Sequence, residues 1–366
     1  MRKYNMKKIV ALLLMLTLLA GCTTNPPPVT TVPGETTKPT EAVTTVPTTE
    51  EATTVPVTEE TTVPVTEQPT AAPTEPETTA PYVPEATAAP TETTPPPADG
   101  LIVHFIDVGQ ADSALLEYDG HFALIDAGYP ESGAKVVSYL KEQGVQKLDL
   151  VVATHPHGDH IGGLPAVLKA FKADNIWSSA ITFFNSYIND FRNAAKAQNQ
   201  TIQEPKPGHI FWLGDVKITV IGPMRTNYED TNDVSLVLMV EYGDTKFLFT
   251  GDMEREAELD LIASGVSLKA DVLKVGHHGS YSSTSYVFLR EVMPTYAVIS
   301  VGAANEYGHP HEEPVSRLQD ADAIIFRTDR MYTVVAYSDG QDIRFSWGNK
   351  YAKPWTPDGS TLENAA

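Results

Sequence analysis

The chain has a single cysteine, Cys22, among 366 residues. That excludes a disulfide framework, and it leaves no thiolate to act as nucleophile or metal ligand in the body of the protein. Basic side chains are also scarce: 26 Lys and Arg stand against 47 Asp and Glu, a net charge of −21. Setting aside the four basic residues at the N-terminus, and the eleven glutamates and one lysine of residues 23–98, leaves about −15 on the remainder. Duplex DNA is normally gripped by basic patches that release counterions. No such cluster occurs: Lys135, Lys141, Lys147, Lys169 and Lys172 are scattered and read as solvated helix faces. The apolar run Ile9 to Leu19 falls short of the ~20 residues a membrane-spanning helix needs. No channel-forming segments accompany the rest of the chain.

That run has another reading. Arg2, Lys3, Lys7 and Lys8 precede it and Leu19-Ala20-Gly21-Cys22 ends it. The pattern is that of a signal peptide, and its ending resembles the bacterial lipobox, whose cysteine becomes the lipidated first residue of the mature protein. Residues 1–22 are expected to be a lipoprotein signal peptide, with Cys22 holding the protein by a lipid anchor on the outer face of the cytoplasmic membrane. A simple cleaved signal peptide is the alternative. Residues 23–99 change composition: 17 of the 28 prolines and one glycine, Gly34, lie between 23 and 98. The near-copies TTVPTTEE, TTVPVTEE and TTVPVTEQ follow one another. Too little apolar bulk is present to offset ordering entropy, so a disordered, polyproline-like spacer is expected. Its threonines are open to glycosylation.

Residues 100–351 have the length and hydrophobicity for one sizeable core. Strand-like runs span Leu101–Val108, Ala114–Tyr118, Phe122–Asp126, Leu148–Thr154, Val216–Ile221, Ser235–Tyr242, Lys246–Thr250, Asp271–Val275, Tyr296–Ser300, Ala323–Arg327 and Tyr332–Tyr337. Helix-like runs span Ala134–Gln143, Leu164–Phe171, Asp190–Gln198, Glu254–Ser264, Ser283–Val292 and Val315–Ala321. Two sheets with helices outside, an α/β/β/α sandwich of the α/β class, suit this order. Residues 352–366, rich in polar and turn residues, read as a loose tail.

The chemistry concentrates at strand ends. Thr154-His155-Pro156-His157-Gly158-Asp159-His160 follows a buried-strand run. Three imidazoles and a carboxylate on one loop are ligands that zinc, manganese or iron accept. Asp126 closes another strand, Asp252 follows Lys246–Thr250, and His277-His278 follow Asp271–Val275 between glycines. Polar groups just beyond buried strands are common makings of an active site. Asp126 also suits a turn, and Asp252 a cap for the helix that follows.

Taken in order, these residues resemble the motif series of the metallo-β-lactamase fold. Phe105-Ile106-Asp107-Val108-Gly109-Gln110, Leu124-Ile125-Asp126, Asn232-Asp233-Val234-Ser235-Leu236, Thr250-Gly251-Asp252, Leu273-Lys274-Val275-Gly276-His277-His278-Gly279-Ser280, Val298-Ile299-Ser300-Val301-Gly302 and Tyr307-Gly308-His309-Pro310 resemble the hydrolase domain of ComEC-type competence proteins. The resemblance covers about residues 101–346. It implies two divalent metal ions, zinc foremost, with manganese or iron as alternatives. His155 and His157 would hold one; Asp159, His160 and one of His277 and His278 would hold the other, with His277 preferred. Asp252 would bridge them and Asp126 would orient the histidine loop. Asn232 stands where the fold commonly has a third-motif histidine, so Asn232, Asp233 or water would complete the first metal. Ala111 replaces a glycine of that branch, and its methyl group would crowd the site. Asp159 or His309 would handle the leaving-group proton. The implied reaction is hydrolysis of a phosphodiester, in nucleic acid or an envelope polymer, by a water whose pKa two cations lower from ~15.7 towards ~7. A non-catalytic surface binding module, or a β-lactam or thioester hydrolase, are the alternatives.

Overall fold

In the computed structural model, the described residues run from 100 to 366, excepting 180, 181, 352, 361, 363, 365 and 366. The signal peptide, Cys22 and the spacer lie outside the described residues. Among the described residues, no helix is long and apolar enough to cross a membrane.

Two mixed sheets form the centre. The first has eight strands, in the order Ile343–Trp347, Val334–Ser338, Leu101–Phe105, Ala114–Tyr118, His121–Ile125, Leu150–Ala153, Ile176–Ser178 and Ile202–Gln203. The second has seven, in the order Ile324–Arg327, Tyr296–Ile299, Val272–Lys274, Thr245–Phe249, Val237–Tyr242, Val216–Gly222 and Ile210–Leu213. Side-chain alternation sorts the strands into layers. Leu101, Val103 and Phe105 meet Ile218, Val240, Phe247 and Phe326 in the core between the sheets. Leu115, Leu124 and Val151 point the other way, into a cluster with Val136, Leu140, Leu164 and Phe191 of three outer helices. Leu248, Leu273 and Ile299 do the same on the second sheet, against Leu261, Phe288 and Leu318. The layers are therefore helix, sheet, sheet, helix.

Leu150–Ala153 is buried along its whole length because parallel neighbours flank it and both its faces are covered. Thr245–Phe249, Val272–Lys274, Tyr296–Ile299 and Ile324–Arg327 are parallel as well. The carboxyl ends of these parallel strands carry the polar motifs, in the usual place for an α/β ligand site.

Ile176–Ser178, Ile202–Gln203, Ile210–Leu213 and Ile343–Trp347 are strands that the sequence reading left out. Ile176–Ser178 and Ile202–Gln203 are too short to show a period and Ile210–Leu213 is uniformly apolar, whereas Ile343–Trp347 does alternate apolar and polar residues. Two residues of the expected tail contact the sheets. Trp355 pairs with Ile325 through both backbone hydrogen bonds, and the Asn364 side chain bonds both the N–H and the carbonyl of Trp347.

Candidate metal centre

Asp126 begins the site. It adopts a left-handed backbone (φ 57°) directly after the strand His121–Ile125. This turns its carboxylate onto the neighbouring loop. One oxygen accepts from the Thr154 N–H at 2.9 Å; the other accepts from Thr154 Oγ1 at 2.6 Å and faces His160 Nδ1 at 2.8 Å. An imidazole whose Nδ1 is engaged in this way presents Nε2 to the centre.

Asp252 is the hub. It follows Thr245–Phe249 through Gly251, whose positive φ (53°) and close packing leave no room for a side chain: a Cβ there would lie 2.9 Å from Ser235. The Asp252 N–H donates to Ser235 Oγ at 3.1 Å. Its carboxylate, 1% exposed, lies 3.1 Å from His160 Nε2, 3.6 Å from His278 Nε2, 3.8 Å from His277 Nε2 and 3.9 Å from His155 Nε2. Burial alone would raise its pKa, but the surrounding imidazoles hold it well below the usual carboxylate range. Asp252 does not cap the following helix; Asp233 takes that role, accepting from the N–H groups of Glu254 and Ala257. Asp233 Oδ1 is thereby committed to the helix.

Four of the expected ligands converge. One donor atom from each of Asp159, His160, Asp252 and His278 lies within 4.8 Å of the others. His278, not the preferred His277, completes this set. His278 is buried; its Nε2 faces Asp159 at 3.2 Å, and its Nδ1 meets the Ser300 carbonyl at 3.0 Å and Asp112 at 3.3 Å. His277 Nδ1 faces Glu254 at 2.8 Å and its Nε2 lies 3.8 Å from Asp252, outside the group of four converging donors. Both histidines have left-handed backbones (φ 46° and 52°), which sends successive side chains in directions that an extended reading does not anticipate. Such conformations tend to gather at functional sites. The other expected pair is also in contact: His155 Nε2 and His157 Nδ1 are 3.1 Å apart, and Thr231 Oγ1 engages His157 Nε2 at 2.7 Å.

The donor set fits a divalent cation. His160 Nε2 and Asp252 Oδ1 are buried and face each other at 3.1 Å without the geometry of a hydrogen bond, and neither has another partner among the described residues, an arrangement that suits a ligand between them. His155 is held neutral by its burial and by neighbouring imidazoles. His160 and His278 retain protons against the cost of burial because Asp252 and the flanking carboxylates favour the charged form, His278 up to about 10. A metal ion would displace those protons. Asn232 lines the same cavity, its buried Oδ1 without a hydrogen-bond partner among the described residues.

Several contributors were not assigned a role from sequence. Asp112 pairs with the buried Lys274 at 2.7 Å as well as approaching His278, and Lys274 and His278 together bring it down to about 2 despite burial. Glu254 and Thr231 each fix one histidine. An aspartate just beyond the first strand was the signal available for Asp112. The expected crowding by Ala111 does not occur: its methyl group packs with the buried apolar cluster under the outer helices. His309 lies on the cavity wall, its ring 5.6 Å from that of His277, and burial and the neighbouring imidazoles lower its pKa to about 4. The cavity is about 370 Å³, lined by His157, Asp159, Asp252, His277, His278 and His309 together with Gln110, Tyr129, Tyr187 and Tyr307; no Lys or Arg is among its lining residues.

Residues 106–303 match the family model of the metallo-beta-lactamase superfamily. The chain belongs to that superfamily. Among its relatives, ComE operon protein 3 of Bacillus subtilis (strain 168) is 33% identical over 250 residues, covering 63% of this chain and 32% of that one. Competence protein ComA of Neisseria gonorrhoeae is 34% identical over 225 residues, covering 61% and 30%. The chain thus spans about a third of the length of these ComEC-type relatives. The metallo-beta-lactamase fold protein YhfI from Bacillus subtilis aligns over 66% of this chain and 100% of its own, at 14% identity and a TM-score of 0.46. Members of the superfamily are generally metal-dependent hydrolases, and this one retains a candidate ligand cluster.

Proposed function

We propose that this metallo-beta-lactamase domain is a dinuclear metal-dependent phosphodiesterase held at the outer face of the bacterial cytoplasmic membrane. The observation that carries the reading is a cavity whose floor is a buried imidazole and carboxylate cluster and whose walls offer no guanidinium or ammonium group. The negative charge of a phosphodiester would have to be met by cations at that floor. His155 and His157 would hold one ion; Asp159, His160 and His278 would hold the other, with Asp252 between them. A divalent ion held by these residues would supply Lewis acidity towards a water and the phosphoryl oxygens. The protein's own groups prepare the site. Asp126 orients His160, the Ser300 carbonyl and Asp112 orient His278, and Thr231 orients His157. Similarity to proteins named for competence supports a nucleic-acid strand as one substrate class; envelope phosphodiesters are the other. Turnover of bis-p-nitrophenyl phosphate with no turnover of nitrocefin is the expected result, and the reverse would favour β-lactam hydrolysis.

Small or single-stranded diesters should be preferred over long duplex DNA. Binding through six to ten phosphate contacts loses roughly 10³–10⁵-fold in affinity between 50 and 200 mM salt. An acidic domain without a basic track should show a much shallower slope. Turnover of a chromogenic diester, a short single strand and a plasmid across a salt series tests this; efficient plasmid cleavage with a steep slope would count against it.

Anchoring has its own test. A lipoprotein's two or three acyl chains bind stably where one chain does so only marginally. Cys22→Ser should therefore release or mislocalise the protein. Unchanged fractionation would rule out attachment through Cys22.

A further inference from the structure

Three sequence motifs that the metal cluster does not use meet beside it: Gly109-Gln110, Val301-Gly302 and Tyr307-Gly308-His309. The Gly302 N–H donates to Gln110 Oε1 at 3.1 Å. An N–H can pair only with the oxygen of an amide, so this bond fixes which way round the Gln110 amide lies. Its Nε2 then faces His309 Nδ1 at 3.2 Å. Since an amide NH₂ only donates, His309 Nδ1 must accept, and a neutral His309 carries its hydrogen on Nε2. The backbone is built to hold this contact. A side chain at Gly302 would bring its Cβ within 2.5 Å of the Gln110 nitrogen, so the two loops meet only because Gly302 has none. Asn305 closes the other side: its Nδ2 donates to the carbonyls of Gly302 and His309 at 2.9 and 2.6 Å, and its Oδ1 accepts from the His309 N–H at 3.0 Å. His309 is thus fixed at its backbone and at one ring nitrogen, on the wall of the cavity that adjoins His277 and His278.

We propose that Gln110 is a positioning residue that locks His309 in the Nε2–H tautomer, so that His309 serves as a neutral hydrogen-bond donor to the phosphoryl group of the substrate. The role assigned to His309 rests on the phosphodiesterase reading; the tautomer lock does not. Donors aimed at developing charge are worth roughly 10²–10³-fold in turnover at comparable sites.

The test uses the full chain loaded with zinc and carrying ¹⁵N-labelled histidine, with the His309 signals identified by their loss in His309→Gln. The unaltered protein should show the Nε2–H form. Gln110→Glu keeps the shape but replaces the donor with an acceptor, so His309 should switch to the Nδ1–H form. In that variant kcat on a phosphodiester should fall at least 10-fold, with KM and metal content little changed. Gln110→Met, which keeps the bulk but makes neither hydrogen bond, should populate both tautomers and fall between the two in kcat. An Nδ1–H form in the unaltered protein, or a switched tautomer in Gln110→Glu with undiminished kcat, would overturn the proposal. If the unaltered protein showed no diester turnover, the phosphodiesterase reading and with it the role of His309 would fail, while the spectra would still decide the tautomer lock.

Discussion

Replacing Asp252 by alanine is expected to abolish turnover and loosen both metal ions. Among the described residues no other carboxylate stands within 4 Å of four imidazoles, as Asp252 does with His155, His160, His277 and His278. Removing it takes away the shared anion and leaves His160 and His278 without the charge that compensates their burial. Asp252→Asn keeps the volume and the backbone bond to Ser235 while removing the charge, which separates loss of the ligand from loss of fold. For comparison, Asp126→Ala should weaken metal binding by roughly 10–100-fold, the usual effect of losing a partner that only orients a ligand. Near wild-type turnover in Asp252→Ala would show the bridging assignment to be wrong.

The second large effect separates two adjacent residues. His278→Ala should cost more in metal affinity than the roughly 100-fold upper end for an orienting partner, because it removes one of the four converging donors. His277→Ala should cost less, since its Nε2, 3.8 Å from Asp252, lies outside the group of four converging donors. Calorimetric metal titration of the two variants measures the difference. Equal losses, or the larger loss in His277→Ala, would return His277 to the ligand set.

The choice between these histidines shows where the sequence stops being informative. Three histidines after an apolar strand run announce a metal loop because burial of the strand and polarity of the loop are both local properties. The order of strands and helices likewise carries the layered fold, since Leu150–Ala153 or Phe247–Phe249 can only be buried. Whether His277 or His278 enters the cluster depends on two left-handed residues in succession, a backbone feature with no periodic signature. The exchange of roles between Asp252 and Asp233 at the following helix is similar: both precede it in sequence or space, and only the meeting of two loops decides which one caps it. Asp112 went without a role because its partners, Lys274 and His278, lie more than 150 residues away and join it only when the two sheets pack. The short strand Ile176–Ser178 was missed because three residues cannot display alternation.

Elemental analysis of the gently purified full chain tests the central claim most directly. Close to two equivalents of zinc, manganese or iron per chain are expected, removed together with diester turnover by a chelator and restored together with it on reconstitution. Less than half an equivalent, even after reconstitution, would contradict a dinuclear centre built on His155, His157, Asp159, His160, Asp252 and His278.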